Sequence, residues 1–79
     1  MTHRDQIHGI IAQNLGRPIA SIDDTQTIAD LGGDSLDGVQ IAMEIEETFA
    51  LDEHMPNEVI DAGTVGQIVA AVDQMTGAV

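Results

Sequence analysis

A serine set between acids at the threshold of an apolar repeat concentrates what side-chain chemistry this chain offers. In "LGGDSLDGVQ", Leu31 to Gln40, two glycines precede Asp34, Ser35 and Leu36, and Val39, Ile41 and Met43 carry the pattern onward. Gly32 and Gly33 permit backbone conformations closed to other residues and let a second surface come close. Asp34 is suited to cap a helix by accepting from first-turn N–H groups. Ser35 then displays its hydroxyl at a helix tip, where free N–H groups and the positive end of the helix dipole favour a phosphate ester. Asp34 competes for the same donors, so that stabilisation is modest.

Two other uses of the serine compete with this one. A nucleophilic serine needs an adjacent base, and the histidines, His3, His8 and His54, are all distant in sequence. Gly33-Asp34-Ser35-Leu36 spells the signature of GDSL esterases, and Asp5-Gln6-Ile7-His8 spells the D-x-x-H of their other block. In those hydrolases the histidine block follows the serine, in a much longer α/β chain; here the order is reversed. Metal chemistry fits no better. His3 and His8 lie five apart, off the spacing that aligns ligands on one helix face, and read as one surface and one partly packed residue. The acids near Asp23 and Asp52 miss the EF-hand template, so no metal site is expected. With no cysteine, the chain has no thiol nucleophile, and a reactive thiol would have to come from outside. Ser35 is therefore read as an acceptor that a separate enzyme modifies, in a protein that is not itself an enzyme.

Charge points to the partners. Fourteen acids oppose two bases, a net charge of −12, and both bases, Arg4 and Arg17, precede Pro18. Such a surface repels nucleic acid and anionic membranes and draws basic protein patches, with faster association at low salt. Acids also keep small domains soluble, so their placement decides between the two readings. Hydrophobic residues make up 43% of the chain with clear periodicity, which argues against disorder. No signal-peptide pattern opens the chain and no apolar run reaches membrane-spanning length. The expectation is a cytoplasmic monomer with neither nucleic-acid binding nor membrane insertion.

The elements that must position Ser35 are helical. Residues 1–79 suit a single domain, which buries only about 60% of its unfolded surface and has no room for a large catalytic cleft. The first helix is expected from about His3 to Leu15, with Thr2 and Asp5 as a capping box, Ile7, Ile10, Ile11 and Leu15 repeating at helical spacing, and Gly16 at its end. A long connection follows to Gly33, pinned by Ile19, Ile22, Ile28 and Leu31, with Ser21-Ile22-Asp23-Asp24 as a turn. The second helix is expected from about Ser35 to Ala50. Ile41, Ala42, Ile45 and Phe49 fall on one side, and Leu36, Val39 and Met43 on another. One face suffices for packing, so the second reads as a surface strip flanked by Asp37, Gln40, Glu44 and Glu47, against the alternative that both are core. Gly38, inside this helix, costs about 1 kcal/mol relative to Ala, for a partner's close approach or by simple tolerance. A short turn through Glu58, Val59 and Ile60 and a last helix from about Val65 to Met75, capped by Thr64 and fraying at Met75-Thr76-Gly77, complete an all-α, three-to-four-helix bundle.

With these residues in view, the chain resembles an acyl carrier protein. The likeness rests on Asp34-Ser35-Leu36 opening "DSLDGVQIAMEIEETFAL" and extends through "IIAQNLG", "MPNEV" and "TVGQIVAAV". It implies that Ser35 receives 4′-phosphopantetheine from coenzyme A through a separate phosphopantetheinyl transferase. The arm's thiol then holds acyl groups as thioesters for enzymes of fatty acid or polyketide-type biosynthesis. It also implies that Asp34, Asp37, Glu46 and Glu47 face basic docking patches, with Leu36, Val39 and Met43 as apolar contacts. Gln40 stands where an acid is common, Glu44 where a small apolar residue is usual, and Gly38 where a better helix former is typical. "LGGDSL" is also similar to peptidyl carrier domains, so an aminoacyl carrier is the alternative, with an unmodified acidic interaction module behind it. In such carriers the helices part slightly to shelter the acyl chain, here expected near Ile45, Ile60 and Ile68, against an ordinary close-packed core.

Overall fold

The computed structural model describes residues 2–77, and these form four helices: α1 (His3–Leu15), α2 (Ser35–Thr48), α3 (Asn57–Ala62) and α4 (Val65–Thr76). α1 packs on α2 and α4, and the short α3 bridges α2 to α4. Between them lies one apolar core, in which Ile7, Ile11, Ile41, Ile45, Val65, Ile68 and Val72 are fully buried. No buried polar or charged residue interrupts it among the described residues.

Local side chains fix where three of the helices start. The Thr2 hydroxyl accepts from Asp5 N–H and the Asp5 carboxylate accepts from Thr2 N–H; Asp34 with Asp37, and Thr64 with Gln67, repeat the arrangement. Each box satisfies two backbone donors that the helix leaves without partners. Gly16 and Gly77 close α1 and α4 in the left-handed conformation. The last helix thus ends in an ordered cap at Gly77 and does not fray through Met75 and Thr76.

α2 stops earlier than its apolar pattern suggests. Ala50 adopts φ 51°, and the Leu51 N–H turns back to the Glu46 carbonyl at 3.0 Å. A left-handed alanine costs roughly 1–2 kcal/mol, so the helix ends at Thr48 because the chain must turn toward the 51–56 connection.

The long connection between α1 and α2 is pinned, though by three of the four expected residues. Ile22, Ile28 and Leu31 are buried, whereas Ile19 is 52% exposed. Ile19 sits in a single 3₁₀ turn, Ile19–Ser21, and covers the outside of α1 at Gly9. The segment is also tied to α4: Val65 N–H donates to the Gln26 carbonyl at 2.8 Å and Gly66 N–H to the Asp24 carbonyl at 2.9 Å, beside an isolated bridge between Thr27 and Thr64. Asp24 is tied to α1 as well, accepting from His8 Nε2 at 2.8 Å and Arg4 Nε at 2.9 Å. Among the described residues no helix is long and apolar enough to cross a membrane.

Candidate functional site: the exposed serine at the start of α2

The chain reaches Ser35 through a tight turn. Leu31 and Ile28 anchor it in the core, Gly32 turns it at φ 94°, and Gly33 N–H donates to the Ile28 carbonyl at 2.9 Å. A Cβ on Gly33 would stand 2.5 Å from Ile28 Cγ2, so the close approach this glycine permits is internal. Of the two glycines only Gly32 needs the left-handed region.

Asp34 then caps α2. Its Oδ1 accepts from Asp37 N–H at 2.9 Å, and Asp37 Oδ2 accepts from Asp34 N–H at 3.1 Å. Ser35 is the first helical residue and is exposed. Its own N–H and that of Leu36 belong to the first turn, which has no intrahelical acceptors. No histidine lines the space beside the hydroxyl. His3 Nδ1 contacts Asp73 Oδ1 at 2.6 Å, His8 Nε2 contacts Asp24 Oδ1, and His54 Nδ1 contacts Glu46 Oε1 at 3.1 Å. His3 is no surface residue: it is half-buried, edge-on to Phe49 at 4.8 Å between ring centroids. Among the described residues no group of three His, Asp or Glu side chains is placed to hold a metal ion.

Beside Ser35 opens a cavity of about 240 Å³. Ile28, Ala29 and Ile60 supply apolar walls, and Asp34 and Asp61 stand at its edge. Gly38 forms part of the wall, where a Cβ would lie 3.1 Å from Ile60 Cγ2 and 3.6 Å from Asp61 Oδ1. The glycine in α2 therefore serves the approach of α3, not that of a partner. An exposed hydroxyl, two unengaged N–H groups and an adjoining cavity fit a phosphate-linked prosthetic arm. When bound, that arm supplies a thiol to a chain that has no cysteine.

The two apolar sides of α2 separate cleanly. Ile41 and Ile45 are fully buried and Ala42 and Phe49 pack against the core, while Leu36, Val39 and Met43 are 64%, 54% and 55% exposed. Asp34, Gln40 and Glu47 are exposed beside them, and Asp37 is half-buried. The structure brings these residues together on one face with Ser35 at its head. Glu46 stands apart: its side chain is 17% exposed and accepts from Met55 N–H at 2.8 Å as well as from His54. The Met55 N–H above all, and then His54, hold its carboxyl below the usual carboxylate range. Glu46 thus ties the 51–56 connection to α2. Glu44 accepts from Asn14 Nδ2 at 2.6 Å and joins α1 to α2. Neither tie could be read from helical spacing, because each partner lies on another element.

Comparison with known proteins agrees with this geometry. Residues 5–72 match the family described as phosphopantetheine attachment site. The chain is 51% identical to acyl carrier protein 3 of Ralstonia nicotianae over 49 residues, covering 61% of this chain and 56% of that one. It is 37% identical to the acyl carrier protein of Picosynechococcus sp. over 76 residues, covering 94% and 91%. Among solved structures, the A-PCP didomain of carboxylic acid reductase from Segniliparus rugosus, in complex with AMP, superposes with a TM-score of 0.84 over 94% of this chain and 10% of that one. At 24% identity that likeness shows the fold alone. Matched over residues 5–72 to that family and over 94% of its length to the Picosynechococcus acyl carrier protein, the chain belongs to the acyl carrier protein family, the non-catalytic proteins that bear phosphopantetheine.

Proposed function

We propose that Ser35 is the residue that carries the 4′-phosphopantetheine. A separate transferase adds it from coenzyme A, and the arm's thiol then carries acyl groups as thioesters between enzymes of fatty acid or polyketide-type biosynthesis. The observation that carries this reading is the exposure of the Ser35 hydroxyl at the first position of α2, with every histidine engaged by a carboxylate elsewhere. With no histidine beside it to act as base, such a hydroxyl suits activation by a visiting enzyme.

The visiting enzymes dock on the exposed side of α2. Leu36, Val39 and Met43 provide apolar contact, and Asp34, Asp37, Gln40 and Glu47 surround them with polar and negative groups. Glu46 contributes charge to the border of this face while holding the 51–56 connection. Every fixed charge from Pro18 onward is negative, which suits partners with basic patches. The protein acts as a single cytoplasmic copy that forms one domain. The cavity walled by Ile60 also favours some shelter for the attached chain, beginning beside Ser35.

Intact-mass measurement after incubation with coenzyme A and a phosphopantetheinyl transferase tests the reading. The wild-type chain gains one phosphopantetheine and Ser35→Ala gains none. A mass gain that survives Ser35→Ala places the arm elsewhere.

A further inference from the structure

The two arginines of this acidic chain are used differently. Arg4 pairs with the Asp24 carboxylate, whereas the Arg17 guanidinium is spent on neutral acceptors. Its Nη1 donates to the Leu31 carbonyl at 3.2 Å and its Nε to Ser21 Oγ at 3.2 Å. The Ser21 hydroxyl in turn donates to the Pro18 carbonyl at 2.7 Å, so the 3₁₀ turn props the guanidinium. The root of the side chain is equally fixed, because Arg17 N–H donates to the Ala12 carbonyl at 2.9 Å where α1 ends. Arg17 thus spans the long connection from its first residue to its last turn.

The hold falls at a sensitive place. Leu31 is buried, and among the described residues no backbone N–H donates to its carbonyl. A carbonyl withdrawn from water needs a partner, and a guanidinium suits one left over at the end of a helix-like turn. Directly after it Gly32 turns the chain at φ 94°, and Gly33, Asp34 and Ser35 follow. α1 grips this turn a second time through apolar contact, since a Cβ on Gly33 would stand 3.1 Å from Leu15 Cδ2. The turn so held also gives Ile28, Ala29 and Gly33 to the cavity beside Ser35.

We infer that Arg17 is a positioning residue for the modification of Ser35. By tying the Leu31 carbonyl to the end of α1, it holds the Gly32–Gly33 turn and the cavity wall in the arrangement that the transferase engages. A reacting atom misplaced by about 1 Å can cost about 100-fold in rate, and a turn that strays only part of the time costs less. The inference rests on the carrier reading above and gives a part in it to a residue outside α2.

Steady-state kinetics of a phosphopantetheinyl transferase, with coenzyme A and this chain as acceptor, test the inference. Arg17→Gln should lower kcat by roughly three- to ten-fold, with KM unchanged or lower. Charge acts in the opposite direction: losing a cation makes the surface more negative and speeds association with a basic enzyme. Arg17→Lys, which keeps the charge and a donor, should recover part of the loss. Ser21→Ala removes the prop at Nε without changing charge and should lower kcat by roughly two-fold. Hydrogen exchange of the unmodified chain gives a readout apart from turnover. In Arg17→Gln the Gly32 and Gly33 amides should exchange roughly two- to ten-fold faster, the scale of one hydrogen bond, while Val65 and Gly66 keep their rates. Wild-type kcat in Arg17→Gln, or in Ser21→Ala should Arg17→Gln not fold, overturns the inference while the carrier reading stands. So does a loss confined to KM, or exchange that quickens equally at Val65 and Gly66. A wild-type chain that accepts no arm overturns the carrier reading, and this inference with it.

Discussion

Asp34 and Thr64 start α2 and α4 with the same reciprocal cap, yet the first residues of the two helices meet opposite surroundings. Val65, the first residue of α4, is fully buried, and its N–H and that of Gly66 are taken by carbonyls of the α1–α2 connection. Ser35, the first residue of α2, is exposed and its tip stands open. The same connection makes both ends what they are. Its middle crosses α4, and its last residues turn at Gly32 and Gly33 to release α2 into solvent. A cap sets where a helix begins; only coverage by another segment decides whether that beginning is a joint or a handle.

The largest way to break this symmetry is to truncate both first residues. Val65→Ala should lose about 2 kcal/mol in urea or thermal unfolding, since it opens a cavity in the core. Ser35→Ala, at the equivalent helix position, should stay within about 0.5 kcal/mol of wild type. Equal losses would mean that Ser35 is not the free tip described.

Removing the caps sharpens the comparison with a smaller effect. Asp34→Ala and Thr64→Ala should each cost about 1 kcal/mol, because each strips one side-chain acceptor from a first turn. Hydrogen exchange in the wild type should nonetheless separate the two ends. The Val65 and Gly66 amides should be protected by their carbonyl partners, and those of Ser35 and Leu36 should exchange quickly. Comparable protection at both ends would contradict an open α2.

Acid provides the mildest probe, acting on the cover of α4. The His8 hydrogen bond first, and then the Arg4 charge, hold the Asp24 carboxyl below its ordinary value. A group depressed in the folded state stabilises fully above its unfolded value and loses that contribution as pH falls through the folded one. The melting temperature should therefore decline below about pH 4. Asp24→Asn should shrink that decline, by an amount worth at most about 0.5 kcal/mol for so accessible a pair. A decline of unchanged size in Asp24→Asn would assign acid sensitivity to other carboxylates.

Much of this molecule is legible because its signals are local. Thr2 with Asp5, Asp34 with Asp37 and Thr64 with Gln67 lie three residues apart, so a first turn alone makes each pair meet. The division of α2 into a buried and an exposed side likewise follows from helical spacing. Gly38, Glu44, Glu46 and Ile19 were opaque for one reason: what each touches, Ile60, Asn14, Met55 with His54, or the outside of α1, lies on a different element. Ala50 is a related case, since its left-handed turn serves the connection that follows and not the helix that precedes it.

The sequence by itself determined that a serine would stand at the tip of an acidic, capped helix, because caps and helical faces depend on neighbours within a turn or two. Only the tertiary structure decided that this tip is open while that of α4 is covered, that α3 presses on Gly38, and that Glu46 faces inward to the 51–56 connection. Those outcomes depend on where a long connection lays its backbone carbonyls, and that is fixed by packing between elements remote in the chain.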